Sequence, residues 1–224
     1  MRKILQLALL VLGWLVILGG FLWAPLGKGF LGHSSRILFF HVPMAWASFI
    51  AFIAAGVWSV RYLIGRDEEH DRSAAVAVEL GLLFGVLATV TGAMWARTMW
   101  GAFWNWDPRQ VSIAFALLFY AAYLALRSSI PDEEARRRLT ASYAVLGLAI
   151  APFLFFIAPR MVPTSLHPEP VINAQGKPAM ESRMLMVLIG GFVWATALFF
   201  WLHDLGRRCA RVVARREAPP LPVE

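Results

Sequence analysis

Cysteine and charge are both scarce in this sequence. The single cysteine, Cys209, excludes an internal disulfide framework. Charged residues make up 16% of the 224 residues and hydrophobic residues 59%, and the mean hydropathy of +0.61 does not suit a surface that faces water. We find no catalytic carboxylate pair, no Ser-His-Asp arrangement, no glycine-rich phosphate loop and no nucleic-acid-binding module in the sequence. The composition therefore places the chain in a lipid bilayer.

Long apolar stretches recur along the whole chain. A helix that crosses the hydrocarbon core needs roughly 20 mostly apolar residues, because it must satisfy its own backbone polar groups there. Six stretches meet this demand, at approximately residues 4–23, 43–63, 74–94, 111–126, 139–158 and 184–202. The first has no clean cleavage site and five others follow it, so we expect it to be retained. The predicted fold is an all-α, polytopic membrane protein with six transmembrane helices in one domain, 1–224.

The basic residues are distributed unevenly among the connections. With the connections numbered alternately, fourteen of the 21 lysines and arginines fall on the side of the two termini, and seven fall on the other side. The seven are Lys28, Arg36, Arg97, Arg109, Arg160, Lys177 and Arg183. By the positive-inside rule both termini are cytoplasmic, and connections 24–42, 95–110 and 159–183 face outward. Residues 205–224 are predicted to be a basic cytoplasmic tail near anionic lipid, so the net charge of +7 does not require nucleic acid as a partner.

The outward connection 95–110 is rich in tryptophan. Residues 95–109 contain four tryptophans, one phenylalanine, one aspartate and two arginines. A surface helix here would place Trp100, Phe103, Trp104 and Asp107 on one face, with Trp106 off it. An aromatic belt at the membrane boundary is the alternative, but a belt needs only one or two rings at each helix end. Aromatic surface beside arginine suits a flat apolar ligand with acidic edges, and haem, with its porphyrin plane and two propionates, has both properties.

Haem iron also needs axial nitrogen ligands, and histidine supplies them. His41 opens the second helix, with Pro43 in its predicted first turn. His167 lies in the proline-rich segment 162–170, where prolines restrict the chain. Either histidine alone is as often a structural residue as a ligand, but both lie on the side of the tryptophans. His33, in a glycine- and serine-rich segment, is a spare candidate. Because the sequence has no C-x-x-C-H motif, any haem here is held noncovalently.

The inward side carries less chemistry. The charged connections 66–72 and 131–138 are expected to be solvated loops. His70 and His203 are expected to have ordinary surface roles beside acidic neighbours. Glu79 lies about one turn from the cytoplasmic end of the third span, and an acidic group inside a bilayer is a functional candidate by default. The alternative for Glu79 is a side chain that reaches the interface or pairs with an arginine.

Three motifs carry a family resemblance. Residues 99–109, MWGAFWNWDPR, resemble the tryptophan-rich "WWD" signature of a haem-handling superfamily. Residues 40–46, FHVPMAW, are similar to its His-Val-Pro-x-Ala-Trp motif, and residues 164–167, TSLH, to its second outward histidine motif. Six spans and this length are most similar to the CcmC family, rather than to its larger relatives CcmF and CcsA. The sequence departs from the pattern at Phe103, where the family commonly has tryptophan, and at Pro108 and Gln110.

The resemblance implies a haem-handling function. It implies that His41 and His167 are axial ligands of noncovalent haem b, and that the loop 95–110 cradles the porphyrin. The loop residues that we assign to the site are Arg97, Trp100, Phe103, Trp104, Trp106, Asp107 and Arg109. One of the two arginines is expected to steady propionates, and Asp107 to orient an arginine or the loop backbone.

The resemblance also implies partners in the bacterial inner membrane. These are the ABC-transporter subunits CcmA and CcmB, the small membrane subunit CcmD and the haem chaperone CcmE, which receives haem during c-type cytochrome biogenesis. We therefore expect a protein that presents haem at the outer face and is not an enzyme. Two alternatives remain open at this point. One is a membrane b-type cytochrome that oxidises quinol, and the other is a permease subunit that binds no haem.

Overall fold

The computed structural model describes residues 2–27, 29–162, 164–167 and 180–217, and these residues are almost entirely helical. Helix α1 spans Arg2–Leu18 and continues into a π-helical turn, Gly19–Trp23. The longer helices that follow are α2 Leu38–Gly65, α3 Glu68–Trp100, α4 Pro108–Ser129 and α5 Glu133–Pro152. A π-helical turn, Phe153–Ile157, joins α5 to the short α6, Ala158–Met161, and α7 spans Ser182–Glu217.

In the described part of the chain, six helical segments are long and apolar enough to cross a membrane, which confirms the predicted fold class. The helices are longer than the apolar stretches in the sequence, because their polar ends extend beyond the roughly 20 residues that a bilayer requires. Residues 205–217 of the predicted basic tail continue α7 as helix, and residues 218–224 lie outside the described part of the chain. Lys28 and Lys177, two of the basic residues counted above, also lie outside it.

Helix α2 is at the centre of the bundle and packs against α3, α5 and α7, while α1 packs on the outside against α7. In the core, the rings of Phe52 and Tyr120 stack with centroids 3.6 Å apart and planes 2° apart. Gly81 lies against Phe52 and Gly147 against Tyr120, where any side chain would collide with the rings. A hydrogen bond between α2 and α7 satisfies one polar group within the apolar core: the indole N–H of Trp46 donates to Thr196 Oγ1 at 2.9 Å.

Pro43 lies inside α2 and not in its first turn, because the helix begins at Leu38 after a 3₁₀ turn, His33–Ile37. The proline has no N–H to donate to the carbonyl of Phe39 one turn earlier. Gly191 of α7 packs against both the proline ring and this carbonyl. The close approach of α7 therefore shields the carbonyl of Phe39, which lacks its hydrogen bond within α2.

The charged connections are mostly helical, which corrects the prediction of solvated loops. Asp71 lies in the first turn of α3, is only 3% exposed, and pairs with both terminal nitrogens of Arg127 at 2.8 and 2.6 Å. His203 is also buried, and its Nε2 lies 2.9 Å from the carbonyl oxygen of Ser73. The prediction that it is a surface histidine is therefore wrong.

His70 does not have an ordinary surface role either. Its ring stacks on Trp58 at 5.3 Å, and its Nδ1 is buried without a hydrogen-bond partner. Both histidines at this end of the bundle belong to the packing between helices, since sequence neighbours such as Asp204 do not determine which face a helical residue presents.

Candidate functional site

His41 is fixed against α3 by one ring nitrogen. Its Nδ1 lies 2.9 Å from the carbonyl oxygen of Ala88 and 3.3 Å from Thr91 Oγ1. The carbonyl can only accept, so Nδ1 carries the proton and Nε2 keeps its lone pair. Gly92 makes this position possible, because a Cβ there would lie 2.7 Å from the imidazole Cε1. The N-terminal end of α2 thus presents an imidazole whose Nε2 has no hydrogen-bond partner among the described residues.

Asp107 joins α4 to the segment that carries His167. The residue is the N-cap of α4, and its Oδ1 accepts the backbone N–H of Arg109 at 2.9 Å. Its Oδ2 accepts the hydroxyl of Ser165 at 2.9 Å and the backbone N–H of Leu166 at 2.7 Å. The carboxylate is buried, at 3% exposure for the residue, so these bonds are not in competition with water.

The same carboxylate faces His167. Nδ1 of the imidazole lies 2.6 Å from Asp107 Oδ1, but the N–H direction is off the line to the oxygen, so the contact is electrostatic and not a straight hydrogen bond. The negative charge favours the tautomer with the proton on Nδ1, which leaves Nε2 as the free base. Metal-bound histidines commonly have a carboxylate or carbonyl on the second nitrogen in this way.

Burial keeps His167 neutral. The pKa of His167 is lowered to about 4, mainly by burial and also by Arg109 and His41, while Asp107 acts in the opposite direction. Burial alone would raise the pKa of Asp107, but the N–H of Arg109, the His167 ring and the bonds from residues 165 and 166 together lower it. At neutral pH the pair is thus a carboxylate and a neutral imidazole.

Two tryptophans at the end of α3 enclose His167. The ring of Trp100 meets the imidazole edge-on at 4.9 Å, and the ring of Trp95 lies 6.0 Å away. Trp95 and Trp100 also pack edge-to-face on each other, at 4.9 Å. Trp100 was predicted from the sequence as a site residue. Trp95, the other wall of the imidazole, was not assigned a role.

The predicted helical face of Trp100, Phe103, Trp104 and Asp107 does not form. Helix α3 ends at Trp100, because Gly101 adopts a left-handed conformation at φ 81°. The non-helical part of the predicted loop 95–110 is therefore only 101–107. Buried Gln110 shapes this turn: its Oε1 accepts the N–H of Asn105 at 2.8 Å, and its Nε2 donates to the carbonyl of Phe103 at 3.2 Å.

Three aromatic rings of the turn are exposed on the protein surface. Phe103 is 59% exposed, Trp104 36% and Trp106 78%. Trp104 and Trp106 meet edge-to-face at 5.7 Å. Trp106 is held in the left-handed region at φ 56°, a conformation that costs a residue with a side chain about 1 kcal/mol or more. The turn thus exposes aromatic surface next to the enclosed imidazole.

The two predicted arginines have different surroundings. The Arg97 guanidinium donates to the carbonyl of Gly101 and lies 5.8 Å from the Phe103 ring, so it supports the turn. Arg109, in the first turn of α4, lies within electrostatic range of His41, His167 and Asp107. Arg160 of α6 lies within range of Arg109 and adds positive charge that the sequence analysis did not assign to the site.

The donor set fits haem. Two anchored imidazoles leave their Nε2 atoms available, aromatic rings surround and flank one of them, and the cations can meet acidic edges. His33, the spare candidate, lies in the 3₁₀ turn at the same end of the bundle and is exposed. Pro163 and residues 168–179, including the other prolines next to His167, lie outside the described residues. The residues that sequence reasoning missed are the supports of the imidazoles: Ala88, Thr91, Gly92, Ser165 and Gln110.

Comparisons with known proteins agree with these motifs. The chain is 30% identical over 172 residues to heme exporter protein C of Bradyrhizobium diazoefficiens, which covers 77% of this chain and 65% of the relative. It is 32% identical over 132 residues to heme exporter protein C of Rhodobacter capsulatus, which covers 59% of this chain and 54% of the relative.

A relative from Arabidopsis thaliana, a putative cytochrome c biosynthesis ccmC-like mitochondrial protein, is 29% identical over 210 residues. The match covers 91% of this chain and 79% of the relative. The chain thus spans less than two thirds of the length of the two bacterial relatives, and more of the plant protein. The sequence profile of CcmC, heme exporter protein C, matches residues 1–220, and the chain therefore belongs to this family of multi-pass membrane proteins.

Proposed function

We propose that this chain binds haem noncovalently between His41 and His167 and presents it to a partner during c-type cytochrome maturation. The observation that carries the proposal is that both imidazoles use Nδ1 to anchor themselves, on the carbonyl of Ala88 and against the carboxylate of Asp107. Neither contact uses Nε2 of the imidazole, and we propose that the two Nε2 atoms bind one ligand. Bound haem b would supply an iron with two axial positions for them.

Other helices support both imidazoles. His41 is on α2 and is held by α3, and the non-helical segment of His167 is held by the N-cap of α4. Hydrogen bonds that lock a ligand side chain preserve its geometry. We therefore propose that Asp107 positions His167, in addition to the expected role of orienting an arginine or the loop backbone.

The remaining site residues fit the rest of the ring. Trp100 encloses His167, and exposed Phe103, Trp104 and Trp106 offer faces on which a porphyrin can stack. Arg109 is the better placed of the two predicted arginines for a propionate, since Arg97 already serves the turn.

The biological setting follows from the family. Relatives carry the names heme exporter protein C and cytochrome c biosynthesis ccmC-like protein. We propose that the site faces the periplasm from the inner membrane, that CcmA, CcmB and CcmD assemble with the chain, and that the chaperone CcmE receives the haem. The chain holds and positions haem in this role and catalyses no reaction by itself.

A haem titration of the purified protein tests the proposal. His41→Ala and His167→Ala should each weaken haem binding at least 100-fold and abolish transfer to the chaperone, because each removes an axial ligand. His33→Ala is the matched control, since it removes an exposed histidine from the same end of the bundle, and it should leave both properties unchanged. Wild-type binding and transfer in both ligand variants would reject the site.

The same preparation separates the two alternative functions. A quinol-oxidising cytochrome would reduce its haem within its turnover time after quinol is added, whereas we expect no reduction above the rate in buffer. A permease subunit without haem would assemble normally and show no Soret absorbance at any haem concentration.

A further inference from the structure

Glu79 is an exposed acidic residue on an apolar face of α3. It is the only charged residue of α3 between Ser73 and Ala96, and it is exposed. The same face continues along the helix with exposed Leu83, Val86, Leu87 and Val90. Glu79 has no hydrogen bond or ion pair among the described residues. Acidic groups within membrane spans are rare and normally have a partner, so this one points to a partner outside the chain.

The other charges near Glu79 are already paired within the chain. Arg72, two turns earlier on α3, bonds to Glu68 at 3.2 Å and to Glu69 at 3.3 Å. Arg127 is held by buried Asp71 at 2.6 Å. Both arginines line the same groove as Glu79, so their own carboxylates already compensate the cations of the groove. Glu79 is the one charge in the groove that lacks compensation.

Two helices line the groove beside Glu79 along most of its length. It has a volume of about 420 Å³ and lies between α3, α7 and the end of α4, and its lining residues are Arg72, Ala75, Val76, Glu79, Arg127, Gly206, Cys209, Ala210 and Val213. On both α3 and α7 the lining residues recur at i, i+3, i+4 and i+7, which makes two straight stripes of about two turns each. The stripes meet at Gly206 and Val76. A Cβ built on Gly206 would lie 2.6 Å from Cγ1 of Val76.

The floor of the groove allows close backbone approach. Ala75 and Ala210 are small, and small residues let membrane helices pack closely, whereas Gly206 lets α7 pack on Val76 of α3. Val76 and Val213 supply apolar walls. Two turns of α3 separate Glu79 from Arg72, a rise of about 10 Å, so Glu79 lies deeper than the polar end of the helix. An occupant must therefore be apolar along the groove and cationic at the depth of Glu79.

We propose that this groove docks a membrane-spanning helix of a different polypeptide, with a lysine or arginine of that helix against Glu79. Lipid acyl chains offer no cation, and the Glu79 carboxylate would repel a lipid phosphate. A symmetric second copy of this chain would place Glu79 near Glu79, which is repulsive. The proposal does not depend on haem, because the groove lies at the end of α3 opposite Trp95 and Trp100.

The native cysteine gives a direct test. Cys209 is exposed and lines the groove, so a maleimide-benzophenone attached to it in native membranes samples the groove occupant. We expect one photoadduct whose cross-linked peptide is an apolar span with a lysine or arginine within about two turns of the attachment point. Moving the probe to α5, as Cys209→Ser with Leu146→Cys, should remove that adduct, since Leu146 is exposed on another helix.

Charge reversal tests the pairing. Glu79→Lys should reduce the adduct at least tenfold, and changing the identified lysine or arginine to glutamate in that background should restore it. Glu79→Gln keeps the shape of the side chain and should also clearly reduce the yield of the adduct. This variant tests the pairing if Glu79→Lys does not insert into the membrane. Glu134→Lys reverses another exposed acid outside the groove and should leave the adduct unchanged.

Several outcomes would overturn the proposal. They are an adduct to phospholipid alone, an adduct to a second copy of this chain, a cross-linked span without a basic residue, and full adduct yield in Glu79→Gln. The haem titration is a separate readout, and a failed haem site would leave this result intact.

Discussion

Replacement of Asp107 by asparagine tests whether a carboxylate positions the His167 imidazole. Asparagine has the same shape and is an equally good N-cap, so α4 should keep its start. The asparagine side chain, however, has only one acceptor oxygen. In the aspartate, Oδ1 accepts the backbone N–H of Arg109, and Oδ2 accepts the hydroxyl of Ser165 and the backbone N–H of Leu166. However the amide is turned, its NH₂ group faces a donor. One unsatisfied buried donor costs about 1–3 kcal/mol.

The expected effect on haem binding follows from this geometry. Loss of a carboxylate that supports a metal-bound histidine typically weakens binding 10–100-fold, which is about 1.4–2.8 kcal/mol. Asp107 raises the pKa of His167, so its loss lowers that pKa further and the imidazole stays neutral. The weakening should therefore be the same at about pH 6 and pH 8, because it arises from position and not from protonation.

A haem titration followed at the Soret band measures this effect. Asp132→Asn is the matched control: Asp132 is the N-cap of α5 and accepts the N–H of Ala135 at 2.7 Å, away from the site. It should bind haem like the wild type. Wild-type affinity in Asp107→Asn would refute the positioning role, and a loss that grows as the pH falls from 8 to 6 would refute the geometric explanation.

Three further predictions concern pH, a glycine and an ion pair. Because the pKa of His167 lies at about 4, haem affinity at pH 5 should match that at pH 7. The stability of the haem-free protein should fall as the pH drops from 6.5 toward 4, because in this range His167 is protonated in the unfolded chain but not in the folded one. Gly92→Ala should weaken haem binding about tenfold or more, because the new Cβ displaces the His41 ring, although alanine favours the helix. Asp71→Asn should lower stability in a denaturation assay by about 3 kcal/mol, because it leaves the Arg127 charge uncompensated, with haem binding per folded protein unchanged.

These predictions have controls in the same chain. Gly190 is also a helical glycine, but a Cβ there meets Val16 at an ordinary 3.6 Å, so Gly190→Ala should bind haem normally. Glu133→Gln removes a surface ion pair whose carboxylate side chain is 65% exposed, and it should change stability by less than about 1 kcal/mol. Loss of haem affinity beginning near pH 6.5, tight binding by Gly92→Ala, or a stable Asp71→Asn variant would contradict the respective reasoning.

The six spans were predictable because every helix that crosses a bilayer needs an apolar stretch of similar length, and such stretches are visible in the sequence. The helix ends were not predictable, since polar residues such as Glu68 and Arg97 continue a helix beyond the apolar run. The alternation of the spans placed His41, His167 and the tryptophans at one end, and the contacts of His167 with Trp95, Trp100 and Asp107 agree with that placement.

The supports of the site could not be predicted from the sequence. Asp107 and Leu166 are 59 positions apart, and nothing local marks them as partners. The bond from His41 to Ala88 uses a backbone carbonyl, which leaves no trace in residue identity. Burial of Asp71 was missed for a similar reason, because its partner Arg127 belongs to another span. Pairing between helices depends on rotation about each axis, which an almost uniformly apolar sequence specifies weakly.

The electron paramagnetic resonance spectrum of the ferric haem complex tests the central claim most directly, since the spin state reports the axial ligands. The claim is that His41 and His167 hold one iron through their Nε2 atoms. We predict a low-spin, six-coordinate spectrum for the wild type and a high-spin, five-coordinate spectrum for His41→Ala and for His167→Ala, with added imidazole restoring the low-spin form. A low-spin spectrum identical to that of the wild type in both variants would contradict the account.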